Sequence, residues 1–211
     1  MFLAAVLAGG PALAQAGEIY SAIGLPGLML GYSQPLDERL TLRADLGTIG
    51  KRSHNGVESG IDYEGKLKVD RVGLFADWFV VGGFRLTGGV TLNDMHADLD
   101  GRGNGGTITI GNNSYVAGPN DRFNVSIKFP RTTPYIGVGY GHRAAAAPGW
   151  SFSFDLGASI GKARVTGGAS GPLLSNAVAQ ADVDQELQQV RDGVGSIKAV
   201  PQVSLGLGYR F

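Results

Sequence analysis

The chain has 211 residues, including 35 glycines and no cysteine, and its 18 acidic side chains balance 18 basic ones. The resulting zero net charge argues against a nucleic-acid partner, because binding phosphates requires an excess of lysine and arginine. Glycine exceeds its usual share of about 7% and lies inside alternating segments, which suits strands packed closely around a narrow interior.

Residues 1–16 form an apolar segment that ends in small residues, with Ala14 and Ala16 placed for cleavage before Gly17. We predict a secretory signal peptide here, since Pro11 and the two glycines before it would break a buried helix. Beyond it, no apolar run reaches the roughly 18 residues of a transmembrane helix. If the protein lies in a membrane, strands must cross it.

The first strands are predicted over 17–24 and 27–33, separated by Leu25-Pro26. One long strand with a bulge at Pro26 is the alternative, but it would leave seven strands in all. Bacterial barrels have even strand numbers. We therefore expect a hairpin at this proline.

Strict alternation predicts strands from Leu40 to Gly47, from Ile61 to Phe79 and from Phe84 to Asp98. The upper part of the second one, 61–69, carries its apolar residues on the opposite face from the lower part. Either a bulge intervenes or the strand rises above the membrane. Residues 50–60 are predicted to form a polar loop.

The second half continues with strands over 123–141, 150–160 and 203–211. Residues 99–120 are predicted to form a long loop containing a small hairpin. In residues 167–195 the apolar period becomes helical, which predicts one short amphipathic helix in a long loop. Ser175-Asn176 is the expected N-terminal cap of this helix, and Gly193 is its expected C-terminal stop. Its expected apolar face consists of Val183, Leu187, Val190 and Val194.

Two regularities indicate an eight-stranded antiparallel up-and-down transmembrane β-barrel over residues 17–211. Tight connections at 34–37, 80–83 and 142–149 alternate with long ones, as periplasmic turns alternate with extracellular loops. Aromatic residues also gather at the strand ends beside the short turns, as in an interfacial girdle. This set is Tyr20, Tyr32, Trp78, Phe79, Phe84, Tyr140, Trp150, Tyr209 and Phe211.

The last segment, Val203-Ser-Leu-Gly-Leu-Gly-Tyr-Arg-Phe211, resembles the C-terminal signature of bacterial outer-membrane barrels. With motifs such as Gly149-Trp-Ser-Phe-Ser-Phe-Asp-Leu-Gly157, the chain looks like small proteobacterial outer-membrane proteins related to the OmpA and OmpW type. The resemblance implies that Tyr209 and Phe211 are read by the barrel-assembly machinery. It also implies contact with outer-membrane lipid and lipopolysaccharide, and we expect a monomer in a Gram-negative outer membrane.

The candidate site is a ladder of charged residues that strand parity directs into the lumen. It comprises Arg43, Asp45, Arg71, Asp77, Arg85, Asp155 and Arg210. Asp77 and Arg85 flank a tight turn and should face each other, with Arg210 at the same level. Because an eight-stranded interior is just wide enough for side chains, we favour a structural salt-bridge ladder, with a slim and weakly anion-preferring pore as the alternative.

Other candidate sites carry weaker patterns. Ser53, His54, Asp94 and His96 could converge at the rim as an enzyme site, but their spacing does not require it. Asp98, Asp100 and Asn104 offer oxygen ligands for calcium without the full EF-hand pattern, and His142 is expected on the surface of a turn. We predict no catalytic, cofactor or metal site. The expected function is a structural barrel or a narrow, porin-like passive channel, with loop-mediated binding or a rim enzyme as alternatives.

Overall fold

The computed structural model describes residues 17–58, 61–143, 147–194 and 198–211, so the predicted signal peptide lies outside the described residues. The strands are β1 (Glu18–Leu25), β2 (Gly27–Pro35), β3 (Leu40–Glu58), β4 (Ile61–Val81), β5 (Phe84–Gly103), β6 (Thr107–Ile110), β7 (Asn113–Val116), β8 (Arg122–Lys128), β9 (Thr132–Tyr140), β10 (Gly149–Ile160), β11 (Arg164–Ser170) and β12 (Ala199–Arg210). Two helices, α1 (Leu174–Ala177) and α2 (Gln180–Val194), precede β12.

Eight of these strands close into one antiparallel barrel, as the alternation predicted. Around the ring they follow the order β1, β2, β3, β4, β5, β9, β10 and β12, and the β1–β12 pair closes it. Every neighbour in the ring is the next ring strand along the chain, which makes this an up-and-down barrel. The start of β1, the end of β12 and the β2–β3, β4–β5 and β9–β10 connections lie at one end of the barrel, called the turn end below. The opposite end, which also has the tight β1–β2 turn at Pro26, is the loop end.

The predicted hairpin at Pro26 is confirmed. β1 and β2 pair in continuous antiparallel register from Glu18↔Ser33 to Gly24↔Gly27. The Leu25–Pro26 peptide bond is cis, and Gly27 has a φ of 110°. A glycine tolerates this positive φ without strain because it has no Cβ.

The predicted loop over 50–60 is wrong for 50–58, and the predicted loop over 99–120 begins too early. β3, β4 and β5 have 19, 21 and 20 residues, against 8 and 9 in β1 and β2. The barrel wall is therefore much taller on one side than on the other. Residues 51–57 of β3 are exposed and mostly polar.

The bulge that the change of parity suggested lies in β3, whereas β4 is regular. Register between β3 and β4 shifts between Thr48 and Gly50, and the register of β4 with β5 is unbroken from Ile61 to Phe79. Odd-numbered residues of β4 therefore face inward throughout. Near the turn end they include the buried Asp77, and at the loop end the buried Ile61. The inner face changes from polar to apolar along one strand.

The predicted strand over 123–141 is two strands, β8 and β9. The predicted strand over 150–160 is β10, and a further strand, β11, follows it. A break at Phe129–Arg131 separates β8 from β9, and a break at Gly161–Ala163 separates β10 from β11. β8 and β11 leave the ring and extend the tall wall, so that β3, β4, β5, β8 and β11 form one upper sheet. The predicted loop over 167–195 therefore begins within a strand.

The inner face of the upper sheet carries a hydrophobic core, covered by the β6–β7 hairpin and the helices. Its buried members are Ile61, Ile108, Ile110, Ala117, Phe123, Val125, Val165, Leu174, Val183 and Leu187. The single predicted helix is two: Ser175-Asn176 lies inside α1, while α2 begins at Gln180. Val183 and Leu187 of α2 are buried at the predicted helical spacing.

The outer face of the barrel is an apolar band near the turn end. Exposed leucine, isoleucine and valine side chains cover it on all eight ring strands. On β4 and β5 the band ends at Asp70 and Asp94, which are paired across the strands, and Lys68 contacts both. Neither helix in the described part of the chain is long and apolar enough to cross a membrane.

The aromatic girdle is smaller than predicted. Tyr32, Trp78, Phe84, Tyr140, Trp150, Tyr209 and Phe211 are exposed on the outside of the turn end. Tyr20 and Phe79 are instead buried inside the barrel, because their neighbours Ile19 and Val80 take the outward positions. An aromatic residue at a strand end can face either side, and only parity decides between them.

Candidate functional site

Four charged side chains form a closed ring across the middle of the lumen. Arg43 Nε lies 2.8 Å from Asp77 Oδ2 and Arg43 Nη2 lies 3.0 Å from Asp155 Oδ1. Arg85 bridges the same two carboxylates, at 3.2 Å to Asp77 Oδ2 and 2.6 Å to Asp155 Oδ1. Two cations therefore alternate with two anions. We call Arg43, Asp77, Arg85 and Asp155 the central ion-pair ring.

The central ion-pair ring joins opposite walls of the barrel. Arg43 lies on β3 and Asp155 on β10, which are four positions apart around the eight strands. All four side chains are buried, with exposed fractions from 0% to 8%. Thr87 Oγ1 also donates to Asp77 Oδ1 at 2.6 Å, which satisfies a further oxygen. A solute moving along the axis would have to break at least one of these pairs.

A second set of bonds crosses the lumen nearer the loop end. Arg71 Nη2 donates to Asp45 Oδ1 at 2.6 Å, and Arg71 Nη1 donates to Gln202 Oε1. Arg71 and Gln202 lie on β4 and β12, which are also four positions apart. Tyr20 donates its hydroxyl hydrogen to Asp45 at 3.2 Å. This upper bridge holds both walls at a level separate from the central ring.

A third cluster lies at the turn end and differs from the predicted arrangement. Arg210, expected at the level of Asp77 and Arg85, instead binds Glu18 Oε2 at 2.6 Å. His142 Nδ1 lies 2.6 Å from Glu18 Oε1. His142 is 1% exposed, so the prediction of a surface histidine is wrong. Its φ of 61° lets the ring turn back into the barrel, which no sequence period could indicate.

Glu18 is the charged lumen residue that the sequence prediction missed. The alternation of Glu18 with Ile19 and Tyr20 would have directed it inward by the rule applied to the other strands. With Glu18 included, four arginines face four carboxylates among the described lumen residues: Arg43, Arg71, Arg85 and Arg210 against Glu18, Asp45, Asp77 and Asp155. All eight take part in an ion pair.

Aromatic rings fill the space between the charged levels. Phe75 and Tyr135 pack edge to face, with ring centroids 4.8 Å apart, and the guanidinium of Arg43 lies 4.9 Å from the Phe75 centroid. Glycines opposite these side chains leave the necessary room. A Cβ on Gly89 would approach Phe75 to 2.7 Å, and one on Gly139 would approach Arg85 Nη1 to 2.6 Å.

Two aspartates fasten the structure above the barrel. Asp121 accepts backbone N–H bonds from Gly118, Leu173 and Leu174 at 2.8, 2.9 and 3.1 Å. Burial alone would raise the pKa of Asp121, but these donors favour its ionised form and hold the pKa below its usual value. Asp182 of α2 accepts hydrogen bonds from Tyr115 and Asn113 of the β6–β7 hairpin, and these bonds lower its pKa.

The predicted rim residues do not converge in the described part of the chain. His54 faces the inside of the upper sheet, as a register partner of Gly65, while Asp94 and His96 lie on its outer face. His96 Nδ1 is 3.4 Å from Asp94, and Lys68 also contacts that carboxylate. Ser53 is a register partner of Lys66 and lies on the outer face with Asp94 and His96, so the sheet separates His54 from the other three residues.

The suggested calcium ligands are also placed differently from a binding loop. Asp98 and Asp100 lie within β5, whose extended backbone runs on to Gly103. Asp100 lies 3.8 Å from Arg122 and Asp98 lies 3.8 Å from His96. No group of three or more potential metal-ligating side chains occurs among residues 17–58, 61–143, 147–194 and 198–211.

Comparison with known proteins identifies the fold. No protein-family profile and no curated protein matches the chain. The solved structures that match include Acinetobacter baumannii CarO, with a TM-score of 0.57 and 18% identity over 92% of this chain and 97% of that one. They also include Acinetobacter baumannii CarO2, with a TM-score of 0.58 and 17% identity over 93% of this chain and 98% of that one. The chain shares the CarO fold. At this identity the likeness extends to architecture and leaves the predicted OmpA and OmpW kinship unassigned.

Proposed function

We propose that the chain is an integral outer-membrane barrel whose lumen is closed at rest by its own ion pairs. The outer apolar band, with aromatic residues at its turn end, has the composition of a lipid-facing surface. A strand of about 9 to 11 residues crosses a membrane, and β1 and β2 have 8 and 9. The much longer β3, β4 and β5 then stand partly above the lipid, on the extracellular side.

The observation that carries this proposal is the pairing of diametrically opposite strands through the lumen. Arg43 reaches Asp155 across the ring, and Arg71 reaches Gln202. An eight-stranded interior is only wide enough for its own side chains. Closure at the central ring and again at the upper bridge supports a structural barrel, or a narrow passive channel that opens only when these pairs rearrange.

The balance of charge weighs against a standing anion path. The sequence prediction counted four cations and three anions in the lumen, but Glu18 equalises the numbers. A paired, neutral lumen provides no excess positive charge to concentrate anions. Any solute that passes is then selected by size and by its ability to replace these ion pairs.

The test of this function is conductance in planar lipid bilayers. We expect the wild type to show no large, steady conductance. The Asp77→Ala, Arg85→Ala double variant should widen the section, yet the Arg43–Asp155 pair at 3.0 Å still crosses it. Replacing all four ring residues with alanine keeps the lumen charge balanced, and this fourfold variant should open more often than the wild type or the double variant.

Stable wild-type channels that this fourfold substitution leaves unchanged would contradict the closed lumen. The control is a Glu64→Ala, Lys66→Ala variant, which removes a neutral ion pair of 3.0 Å from the exposed part of β4. This variant should conduct as the wild type does. If the control and the fourfold variant show equal channel activity, the increase in conductance comes from general loosening of the barrel and not from loss of the ring.

We further propose that the barrel is a monomer surrounded by outer-membrane lipid and lipopolysaccharide. Within the barrel, each of its eight strands is hydrogen-bonded on both sides, and the open edges of the upper sheet, in the described residues, are confined to β3 and β11. The proposed assembly signal is the exposed pair Tyr209 and Phe211, beside the β1–β12 closure. Of the alternatives, a rim enzyme gains no support from the placement of His54 and His96. Loop-mediated binding gains support from a cleft above the barrel.

A further inference from the structure

An open cleft of about 590 Å³ lies on the inner face of the upper sheet, above the barrel lumen. β3, β4, β5 and β8 form its floor, and β6 and α2 flank it. Its volume is within the range of about 300 to 1,000 Å³ that is usual for small-molecule sites. None of the charged lumen residues lines it, so it is a separate compartment from the central ion-pair ring.

The walls of the cleft are apolar. Leu67 and Leu99 point into it from β4 and β5, with Ile108 and Val190 on the flanking hairpin and helix. Leu67 and Leu99 face the concave side of the sheet and are nevertheless 41% and 48% exposed. Large apolar side chains that border a cavity and remain this exposed provide contact surface for an apolar ligand.

One edge of the cleft is basic. Arg52 and His54 lie on the inner face of β3, in register with Leu67 and Gly65 of β4, and both line the cleft. The side chain of Arg52 makes no ion pair or hydrogen bond with any residue in the described part of the chain. Glu186, on the opposite edge, accepts a hydrogen bond from the backbone N–H of Gly111 at 3.0 Å.

We propose that this cleft binds a small apolar molecule that carries one carboxylate. The apolar body lies against Leu67 and Leu99, and the carboxylate accepts hydrogen bonds from the guanidinium of Arg52, beside His54. A guanidinium matches a carboxylate in geometry and can donate two parallel bonds. This site is independent of the closed lumen and stands whether or not the barrel conducts.

The experiment uses the folded barrel in lipid nanodiscs with ¹³C-labelled leucine methyl groups. The probes are 4-phenylbutanoate and 4-phenylbutylamine, which share a skeleton and differ in charge. We expect the carboxylate to shift the methyl resonances of Leu67 and Leu99 at saturable concentrations, and the amine to bind at least about tenfold more weakly. Arg52→Gln should weaken carboxylate binding by about tenfold, equivalent to about 1.4 kcal/mol.

Lys51→Gln is the matched control, because Lys51 neighbours Arg52 and lies on the opposite face of β3, where it is paired with Lys68. It removes the same charge from the same strand and should leave the affinity unchanged. Both residues are exposed, so neither substitution should prevent folding. Equal binding of the amine, equal weakening by the two variants, or shifts confined to leucines elsewhere would each overturn the proposal.

Discussion

The central ion-pair ring should behave as one electrostatic unit, which a double-mutant cycle on Arg85 and Asp155 can test. Their shortest contact is 2.6 Å, with the Arg85 side chain 0% exposed and that of Asp155 11% exposed. Asp155→Ala leaves two buried arginines facing one carboxylate, and Arg85→Ala leaves two carboxylates facing one arginine. Removing one partner of a buried pair costs about 3 to 5 kcal/mol, because the other charge stays buried without compensation.

The double variant restores neutrality. It leaves Arg43 and Asp77 paired at 2.8 Å, so its unfolding free energy should fall by no more than that of either single variant. The coupling energy is then about 3 kcal/mol, at the top of the range of about 0.5 to 3 kcal/mol measured for contacting residues. Urea unfolding of the barrel in lipid vesicles, followed by the fluorescence of Trp78 and Trp150, measures all three variants.

The exposed pair Glu64 and Lys66 provides the comparison cycle. Its side chains are 32% and 57% exposed at a contact of 3.0 Å. A pair in that position contributes about 0 to 1 kcal/mol. If the coupling energy of Arg85 and Asp155 is no larger than that of this exposed pair, the ring residues act independently and the central ion-pair ring does not hold the opposite walls together.

Three further results are expected. Intact-mass measurement of protein from outer membranes should show cleavage between Ala16 and Gly17, whereas a chain retaining residues 1–16 would contradict the signal peptide. Deletion of Phe211 should lower the folded fraction, seen as loss of a heat-modifiable band on a gel, and an unchanged fraction would argue against the assembly signal. Folding lowers the pKa of Asp121, so the stabilisation that this carboxylate provides is present above its ordinary pKa of 3.8 and is lost as pH falls through the folded pKa. Hydrogen exchange around α1 should therefore accelerate in acid, and Asp121→Asn should remove this pH dependence.

Period-two alternation was sufficient to direct all seven predicted charged residues inward, because in a closed barrel one face of every strand must meet the lumen. Together with the tight turn it predicted one contact, between Asp77 and Arg85, which lie 3.2 Å apart, but it did not identify the other partners. Arg210 pairs with Glu18, which is 192 positions away in the sequence, and not with Asp77, at whose level in the barrel it was expected. Register around the ring decides such pairs, and Glu18 and Arg210 are direct register partners on β1 and β12.

The upper sheet was harder to predict because the environment of its two faces reverses along each strand. In the barrel, β4 places Arg71 inward and Leu74 outward; in the upper sheet, Ile61 is inward and Asp62 is outward. The same alternation therefore signals opposite orientations at the two levels. The sequence does not show where the barrel gives way to the upper sheet, so residues 50–58 resemble a polar loop and the apolar residues of 61–69 lie out of phase with those of the barrel.

The bonds between opposite walls also bear on how the barrel can form. Arg43 and Asp155 are separated by 112 positions and lie on strands that do not touch, so they meet only when the sheet has curled completely. A partly assembled sheet has its inner charges in water and gains nothing from these pairs. The final β1–β12 pairing and the cross-lumen bonds therefore arise together, which makes closure a cooperative step. Until that step, the polar inner face keeps an unfinished sheet hydrated on one side.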